Sequence, residues 1–266
     1  MKKIINIITF LGLLFAGQQV FSNAAAMEVM EIVRKVNHAI FYQGGDNKAH
    51  LEMRILDDQG RERFRKITLL RKNLDEKDGA QKYYVFFSKP ADIKKMVFMA
   101  WKNIDRDDDR WLYLPALDLV KRIAASDERT SFVGSHFFYE DVSGRNIDED
   151  VHEIVAETEQ YYVIKSVPKL PQDVEFSYYK NWIDKKTFLP VKAEYYNEKS
   201  FVYRTYNALE IKMIEGYPTV MNAQMEDNTT GGKTILTYSS VKYDEGIPEN
   251  IFSERYLRRA PKRYLK

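Results

Sequence analysis

Strand-like periodicity runs through most of the chain after a single helical segment. Residues 27–42 place Val29, Val33, Val36 and Ile40 on one face at helical spacing, which predicts an amphipathic helix. The segments that follow alternate apolar and polar side chains between turns, as antiparallel strands do. Roughly ten or more such strands imply a large, strongly curved sheet that closes on itself or is plugged by something. They cover residues 49–57, 61–72, 83–87, 96–101, 111–123, 154–156, 161–167, 175–184, 191–196, 201–213, 219–226 and 234–243.

Residues 124–141, which we call the flap, interrupt this pattern. Their apolar residues follow neither a strand nor a helix period. A connection this long without an element of its own is uncommon in a compact domain and is often a lid or binding loop. We expect the flap to close over the concave side of the sheet. The alternative is that its rings fill an ordinary core. The residues in question are Phe132, Val133, Phe137, Phe138 and Tyr139 around Gly134.

The first 26 residues have the three parts of a secretory signal peptide. Lys2 and Lys3 precede an apolar run at 4–15, and small residues at 22–26 allow cleavage near Ala24 to Ala26. A retained membrane anchor needs about 20 apolar residues, and this run is shorter. We therefore expect an exported, periplasmic protein with residues 27–266 as a single domain.

Composition excludes several function classes. The chain has no cysteine, so disulfides and thiolate metal sites are ruled out. Without Lys2 and Lys3, the chain has 39 basic and 39 acidic side chains. A neutral chain has no electrostatic footprint for nucleic acid, and we expect no nucleic-acid partner.

Catalytic patterns are weak. The four histidines have no helical i, i+4 pair and no carboxylate at ligand spacing, which argues against a metal site. Ser135 and His136 are adjacent, so their side chains do not face each other, and the nucleophile-elbow context is missing. Asp105, Asp107 and Asp109 begin like a calcium loop that the next positions fail to complete. We predict no catalytic residue, no metal and no cofactor.

Aromatic residues and methionines are the informative side chains, because methionine adapts its shape to varied apolar partners. On one predicted strand, Met221, Ala223 and Met225 share a face. Plain core packing is the alternative for each residue. Together with the curved sheet and the flap, they predict an internal apolar cavity. The predicted ligand contacts are Met99, Trp101, Trp111, Tyr113, Phe132, Phe137, Phe138, Met221 and Met225.

Several blocks of the sequence resemble the outer-membrane lipoprotein-sorting protein family, which is LolA-like. They are WLYLPALDLVKRI from Trp111, GSHFFYED from Gly134, NWIDKKTFLPVKAEYYN from Asn181 and the late IFSERYL. The resemblance extends over essentially all of residues 27–266. It implies a mainly β fold, a curved antiparallel half-barrel with an N-terminal helix and a flap over the concave face, enclosing a cavity for acyl chains. Trp111 to Pro115, Lys121-Arg122 and Gly134 to Asp141 match the family's pattern best.

The leading hypothesis from the sequence is therefore a non-enzymatic periplasmic carrier. It would bind lipid or the acyl chains of a lipoprotein, take them from an inner-membrane transporter and pass them to an outer-membrane acceptor. One alternative is an accessory, partner-binding protein of an inner-membrane exporter of the RND type, which a full, dry interior would favour. An outer-membrane barrel would usually end in a strand, and a lipid hydrolase lacks a nucleophile and base that the sequence can pair.

Overall fold

The computed structural model describes residues 27–266, so the expected signal peptide lies outside the described residues. Within them, thirteen strands form one antiparallel sheet. The sheet is curved and unclosed, which confirms the predicted half-barrel. The strands are β1 (Asp46–Leu56), β2 (Glu62–Asn73), β3 (Gln81–Lys89), β4 (Val97–Lys102), β5 (Asp109–Leu114), β6 (Leu119–Ile123), β7 (Asp150–Glu157), β8 (Tyr161–Pro168), β9 (Tyr178–Asp184), β10 (Pro190–Tyr196), β11 (Val202–Ile214), β12 (Tyr217–Asp227) and β13 (Lys233–Tyr243).

The order of the strands is that of two meanders joined in the middle. From one edge to the other it reads β6-β5-β4-β3-β2-β1-β13-β12-β11-β10-β9-β8-β7. Each meander is built from hairpins between neighbours in sequence, whereas the central seam pairs β1 with β13. The two outer edges, β6 and β7, are consecutive in the chain. Residues 124–149, which we call the strap, connect these edges and contain the predicted flap.

The N-terminal helix covers the concave face of the second meander. Helix α1 (Val29–Asn37) continues into a π-helical turn at His38–Tyr42. Its buried residues Ile32, Val33 and Val36 pack on Ile164 of β8 and Ile183 of β9. Val33 and Val36 of the predicted apolar stripe therefore lie on the face that the sheet buries. Ile32, which the stripe did not include, is buried with them, whereas Ile40 is 42% exposed. Within residues 27–266 no helix has the length and apolarity needed to cross a membrane.

The C-terminal segment covers the convex face of the first meander. Residues 247–265, which include the short helix α3 (Arg255–Arg258), pack on side chains of β2–β5. Near the end of this segment, Tyr264 and Leu265 also pack against this second core. Two backbone carbonyls of the segment accept hydrogen bonds from the sheet, Phe252 O from Trp101 Nε1 at 2.9 Å and Tyr256 O from Tyr84 at 2.7 Å. Most of β3 and β4, and parts of β2 and β5, are consequently buried on both faces.

Loss of the Phe252 side chain should destabilise the protein through this second core. Phe252 is 1% exposed, and removing a buried phenylalanine costs about 3–5 kcal/mol through lost burial and the cavity left behind. We expect Phe252→Ala to lower the free energy of unfolding by that amount in urea titrations. Leu209→Ala is the control, because Leu209 on β11 is 53% exposed. Equal losses in the two variants would contradict a sealed convex face.

Candidate functional site

A cavity of about 410 Å³ lies between the concave face of the sheet and the segments that cover it. Its walls come from the inner faces of β1–β3 and β7–β13, and its cover from α1, the π-helical turn and the strap. Pockets that hold small molecules measure about 300–1,000 Å³ and are mostly apolar. The apolar wall includes Ala49, Leu51, Met53, Ile67, Leu69, Val85, Ala223, Met225 and Leu236.

Aromatic rings of the strap close one end of the concave face. The rings of Phe132 and Tyr139 meet edge to face with centroids 5.5 Å apart, and each lies 5.3 Å from Phe98 of β4. Phe132 is also 6.0 Å from Phe87 of β3. Such pairs contribute about 0.5–1.5 kcal/mol each beyond the area they bury. Phe132 and Phe137 belong to this core and also line the cavity. These two rings therefore pack in the core and also line the cavity, while the role of the flap as a lid stays a prediction.

Ion pairs hold the strap to strands on both sides of the gap in the sheet. On the first side, Nη1 of Arg110 in β5 lies 2.7 Å from Oε2 of Glu128. On the second side, Nε of Arg145 lies 3.2 Å from Oδ2 of Asp150 at the start of β7. Arg110 and Asp150 are buried, and removing one partner of a buried pair leaves an uncompensated charge at a cost of about 3–5 kcal/mol.

The middle of the strap is held in the same way from the second meander. Arg129 pairs with Glu175, which precedes β9, at 2.6 Å from Nη2 to Oε1. Arg204 of β11 pairs with Asp141 of the strap. Together with the pairs of Arg110 and Arg145, these contacts bridge β5 to β11 through a segment that is not itself part of the sheet.

Lys102 joins three parts of the protein at one buried point. This residue of β4 is 5% exposed, and its Nζ donates to the carbonyls of Ser143 at 2.9 Å and Gly144 at 3.3 Å. The same ammonium lies 5.2 Å from the ring centroid of Phe41 in the π-helical turn. Burial lowers the pKa of Lys102 to about 8, while the carboxylate of Asp108 acts in the opposite direction.

Gly144 allows the strap and the π-helical turn to touch. Its φ is +81°, and a Cβ at this position would lie 2.5 Å from Cε2 of Phe41. Both the backbone conformation and the close approach therefore require glycine. The two covering segments meet as one continuous lid across the cavity.

Eight of the nine predicted ligand contacts fall into two groups. Phe132, Phe137 and Met225 line the cavity, and Met221 packs with the wall residues Ala49 and Val241. Met99, Trp101, Trp111 and Tyr113 belong to the convex core under the C-terminal segment. Since β4 and β5 are apolar on both faces, their sequence does not reveal which face is concave. The role of these residues as ligand contacts stays a prediction. The first group lies at the cavity, and the second lies on the convex face of the sheet.

Phe138 points to charges rather than to the cavity. Its ring centroid lies 4.0 Å from Cζ of Arg204 and 5.1 Å from Cζ of Arg129. A cation over an aromatic face contributes about 0.5–2 kcal/mol. Phe138 therefore helps to hold the strap in place.

Other lining residues were not singled out from the sequence. Tyr206 and Tyr238 on adjoining parts of the wall, and Val33 and Val36 of α1, all face the cavity. The helical period of α1 marks Val33 and Val36 as buried but does not say against what. The regular alternation of Leu51, Met53 and Ile55 in β1 was the available signal for an inner wall.

The histidines that face serine or threonine make local hydrogen bonds. Nδ1 of His136 lies 2.8 Å from Oγ1 of Thr234. In the cavity wall, Nδ1 of His152 lies 2.8 Å from Oγ of Ser166, and its Nε2 lies 2.8 Å from the carbonyl of Ile147. His152 and Ser166 are opposite one another in the β7–β8 ladder, which accounts for their contact. Across residues 27–266 no group of three or more His, Asp or Glu side chains is placed to hold a metal ion.

Comparison with known proteins identifies relatives of this fold. A family model described as "uncharacterized protein" matches residues 79–259. A DUF1329 family protein from Desulfovibrio piger superposes with a TM-score of 0.79 at 24% identity, covering 85% of this chain and 96% of that one. A domain from Vibrio parahaemolyticus described as outer membrane lipoprotein-sorting has a TM-score of 0.79 at 27% identity, with 86% and 98% covered. A LolA superfamily protein from Nitrosomonas europaea gives 0.67 at 19% identity, with 87% and 100% covered. No curated protein matches the chain.

A methyl group at Gly144 should push the strap away from the π-helical turn. We expect Gly144→Ala to lower the free energy of unfolding by about 2–4 kcal/mol, from backbone strain and the clash with Phe41. Gly60→Ala is the matched control, because Gly60 also has a positive φ, +76°, but has nothing within 4 Å of the added atom. That variant should lose about 1–2 kcal/mol, the cost of the backbone alone.

The double variant Phe41→Ala/Gly144→Ala tests whether the clash is the cause. It should lose less stability than the sum of the two single variants, because the ring that the methyl group meets is gone. Additive losses in urea titrations would show that Phe41 and Gly144 are not coupled.

Lys102 should give the protein a stability that rises with pH in the mildly alkaline range. Between the folded pKa of about 8 and the ordinary value of 10.5, the unfolded chain holds more protons on this residue than the folded chain. The free energy of unfolding therefore increases with pH in this window. We expect the difference between the wild type and Lys102→Met to change from about pH 8 to 9.5 in urea titrations. A difference that stays constant with pH for Lys102→Met would contradict the lowered pKa of Lys102.

Proposed function

We propose, from the premise that this chain belongs to the LolA-like family of outer-membrane lipoprotein-sorting proteins, that it is a periplasmic, non-enzymatic carrier of acyl chains. Its cargo is a lipid or an acylated lipoprotein, which it receives from an inner-membrane transporter and passes towards an outer-membrane acceptor. The observation that carries this proposal is the apolar cavity of about 410 Å³ beneath the lid.

The energetics of acyl chains support a cavity of this kind. Burying each methylene is worth about 0.8 kcal/mol, so a sixteen-carbon chain in water is unfavourable by on the order of 12 kcal/mol. A wall of leucine, valine, alanine and methionine side chains offsets that cost. Met53 and Met225 suit a cargo that varies in shape, because methionine fills irregular gaps.

Release of the cargo requires a cover that can separate from the wall. The strap is attached through side-chain ion pairs, through Lys102 and through the packing of its aromatic rings, all outside the sheet ladder. A loaded and an emptied state can then differ in the position of the strap while the sheet stays intact, with the cargo favouring the state that it binds better.

The alternative, an accessory protein that only binds a partner, predicts an interior filled by side chains. The cavity favours the carrier over this alternative. The LolA-like comparisons support a role in the periplasm, in agreement with the signal peptide expected from the sequence.

Filling the cavity should abolish lipid retention. We expect the protein purified from the periplasm without detergent to contain lipid or acylated peptide in about molar amounts, measured by mass spectrometry of organic extracts. Ala223→Phe places a ring in the cavity wall and should remove most of this lipid. Ala156→Phe, on the exposed side of β7, is the control and should retain it.

Empty wild-type protein that also fails to take up a fluorescent fatty acid would rule out the carrier. That result would favour the partner-binding alternative. Equal lipid content in the wild type and a folded Ala223→Phe variant would place the lipid outside this cavity.

A further inference from the structure

One end of the cavity carries a polar row across four neighbouring strands. In the ladder register, Tyr243 of β13 is opposite Asn47 of β1, Asn47 is opposite Arg71 of β2, and Arg71 is opposite Tyr83 of β3. All four side chains line the cavity. Because inner-face residues recur every second position, the polar residues form one line across the wall at this end.

The next rows along the same strands are apolar. Ala49 and Leu69 are opposite one another two positions further on, and Leu51 and Ile67 follow after two more. From Asn47 to Met53 the wall extends for about 20 Å, at roughly 3.4 Å per residue. One leaflet of a bilayer holds acyl chains over about 15 Å, half the hydrocarbon thickness. The wall therefore has a polar end and an apolar length that suit an amphiphile.

Arg71 brings an uncompensated positive charge to the polar end. It is 3% exposed, and its guanidinium donates to the backbone carbonyls of Phe41, Gln43 and Gly44. Within residues 27–266 no carboxylate lies within 4.0 Å of it. Asp46 acts on it electrostatically, but the Asp46 carboxylate accepts the backbone N–H groups of Glu245 and Ile247.

A buried cation surrounded only by dipoles favours an anion beside it. Burial also lowers the pKa of Arg71, but a guanidinium stays protonated in proteins. Two further atoms at this end lack hydrogen-bond partners, Nε of Arg71 and Oδ1 of Asn47. The amide of Asn47 can present either its oxygen or its NH₂ group, so both side chains can donate to an oxyanion.

The other arginines that line the cavity do not offer an anion site. Arg129 and Arg145 are lining residues, but they are paired with Glu140, Glu149, Glu175 and Asp150. Four carboxylates therefore surround these two guanidinium groups. Among the lining arginines of residues 27–266, Arg71 is the one without a carboxylate partner, which gives an anionic amphiphile a preferred orientation.

We propose that Arg71 and Asn47 form a head-group site for the anionic end of the cargo, a carboxylate or phosphate, with the acyl chain lying along Leu51 and Met53 towards Phe132. This site rests on the proposed carrier function and specifies its ligand class. Both unpaired atoms are covered in the present state. Seating the head group therefore requires residues 41–44 to yield, with oxyanion contacts replacing carbonyl contacts on Arg71.

The test compares ligands with the same chain and different head groups. Laurate, dodecyl phosphate and dodecanol compete with a bound fluorescent fatty acid, and inorganic phosphate serves as a free-anion probe. We expect the wild type to bind laurate and dodecyl phosphate about tenfold or more tightly than dodecanol, a difference of about 1.4 kcal/mol or more. Displacement by inorganic phosphate alone at similar concentration would make this a free-anion site and overturn the lipid assignment.

Substitutions separate the head-group site from the cavity itself. Arg71→Gln should reduce the preference for laurate over dodecanol to about twofold or less while the affinity for dodecanol is kept. Arg71→Lys should keep most of the preference, because it keeps the charge. Arg65→Gln is the matched control, since Arg65 is a buried arginine of the same strand outside the cavity lining, and it should leave the preference unchanged.

Each outcome decides between the proposals. Equal binding of all three amphiphiles by the wild type would overturn the head-group site and leave the carrier function standing. Binding of none would contradict the carrier function. If circular dichroism shows that Arg71→Gln does not fold, Asn47→Ala replaces it in the test. A weaker preference of Asn47→Ala for the anionic ligands would support the head-group site, and an unchanged preference would overturn it.

Discussion

The structure depends on the way the strap joins two sheet edges that do not pair with each other. A thirteen-stranded sheet that curves without closing leaves β6 and β7 with unpaired backbone groups and a gap between them. The strap crosses this gap, and Arg110 and Arg145 attach it on either side. Side-chain ion pairs thus replace the ladder hydrogen bonds that would have turned the sheet into a barrel. The fold keeps an opening on its concave side, and that opening is covered rather than sealed.

The cover behaves as one unit because its parts meet at shared points. Lys102 bonds the end of the strap and approaches Phe41 of the π-helical turn, while Gly144 lets the two segments come into contact. The rings of Phe132 and Phe137 extend the cover into the core of the first meander. A movement that exposes the cavity must therefore break a few buried polar contacts and withdraw aromatic surface together. In the proposed opening, the hydrogen bonds of the sheet ladder would stay intact.

Local sequence patterns predicted much of this fold. The features that depend on contacts between distant parts of the chain could not be predicted in this way. The alternation in β1 and the helical stripe of α1 depend on neighbours in sequence, so they could be read directly. The concave face of β4 could not be predicted from the sequence, because Phe98 and Met99 are both apolar. Met99 is assigned to the convex face only because the C-terminal segment packs on it. The polar row containing Arg71 was hidden for a similar reason. Its members come from four strands, and only the register of the sheet brings them together.

The seam between β1 and β13 has a consequence for how the protein acquires its shape. Asn47 and Tyr243 are paired there although nearly the whole described chain lies between them. Hairpins between sequence neighbours form early, whereas pairings between distant segments bear a loop-closure cost and slow folding. The two meanders can therefore form as separate half-sheets, each with an uncovered apolar surface, before the seam unites them. Until β13 is in place the interior is two open surfaces rather than a container, and a chain interrupted before this strand is more prone to aggregate than to hold a ligand.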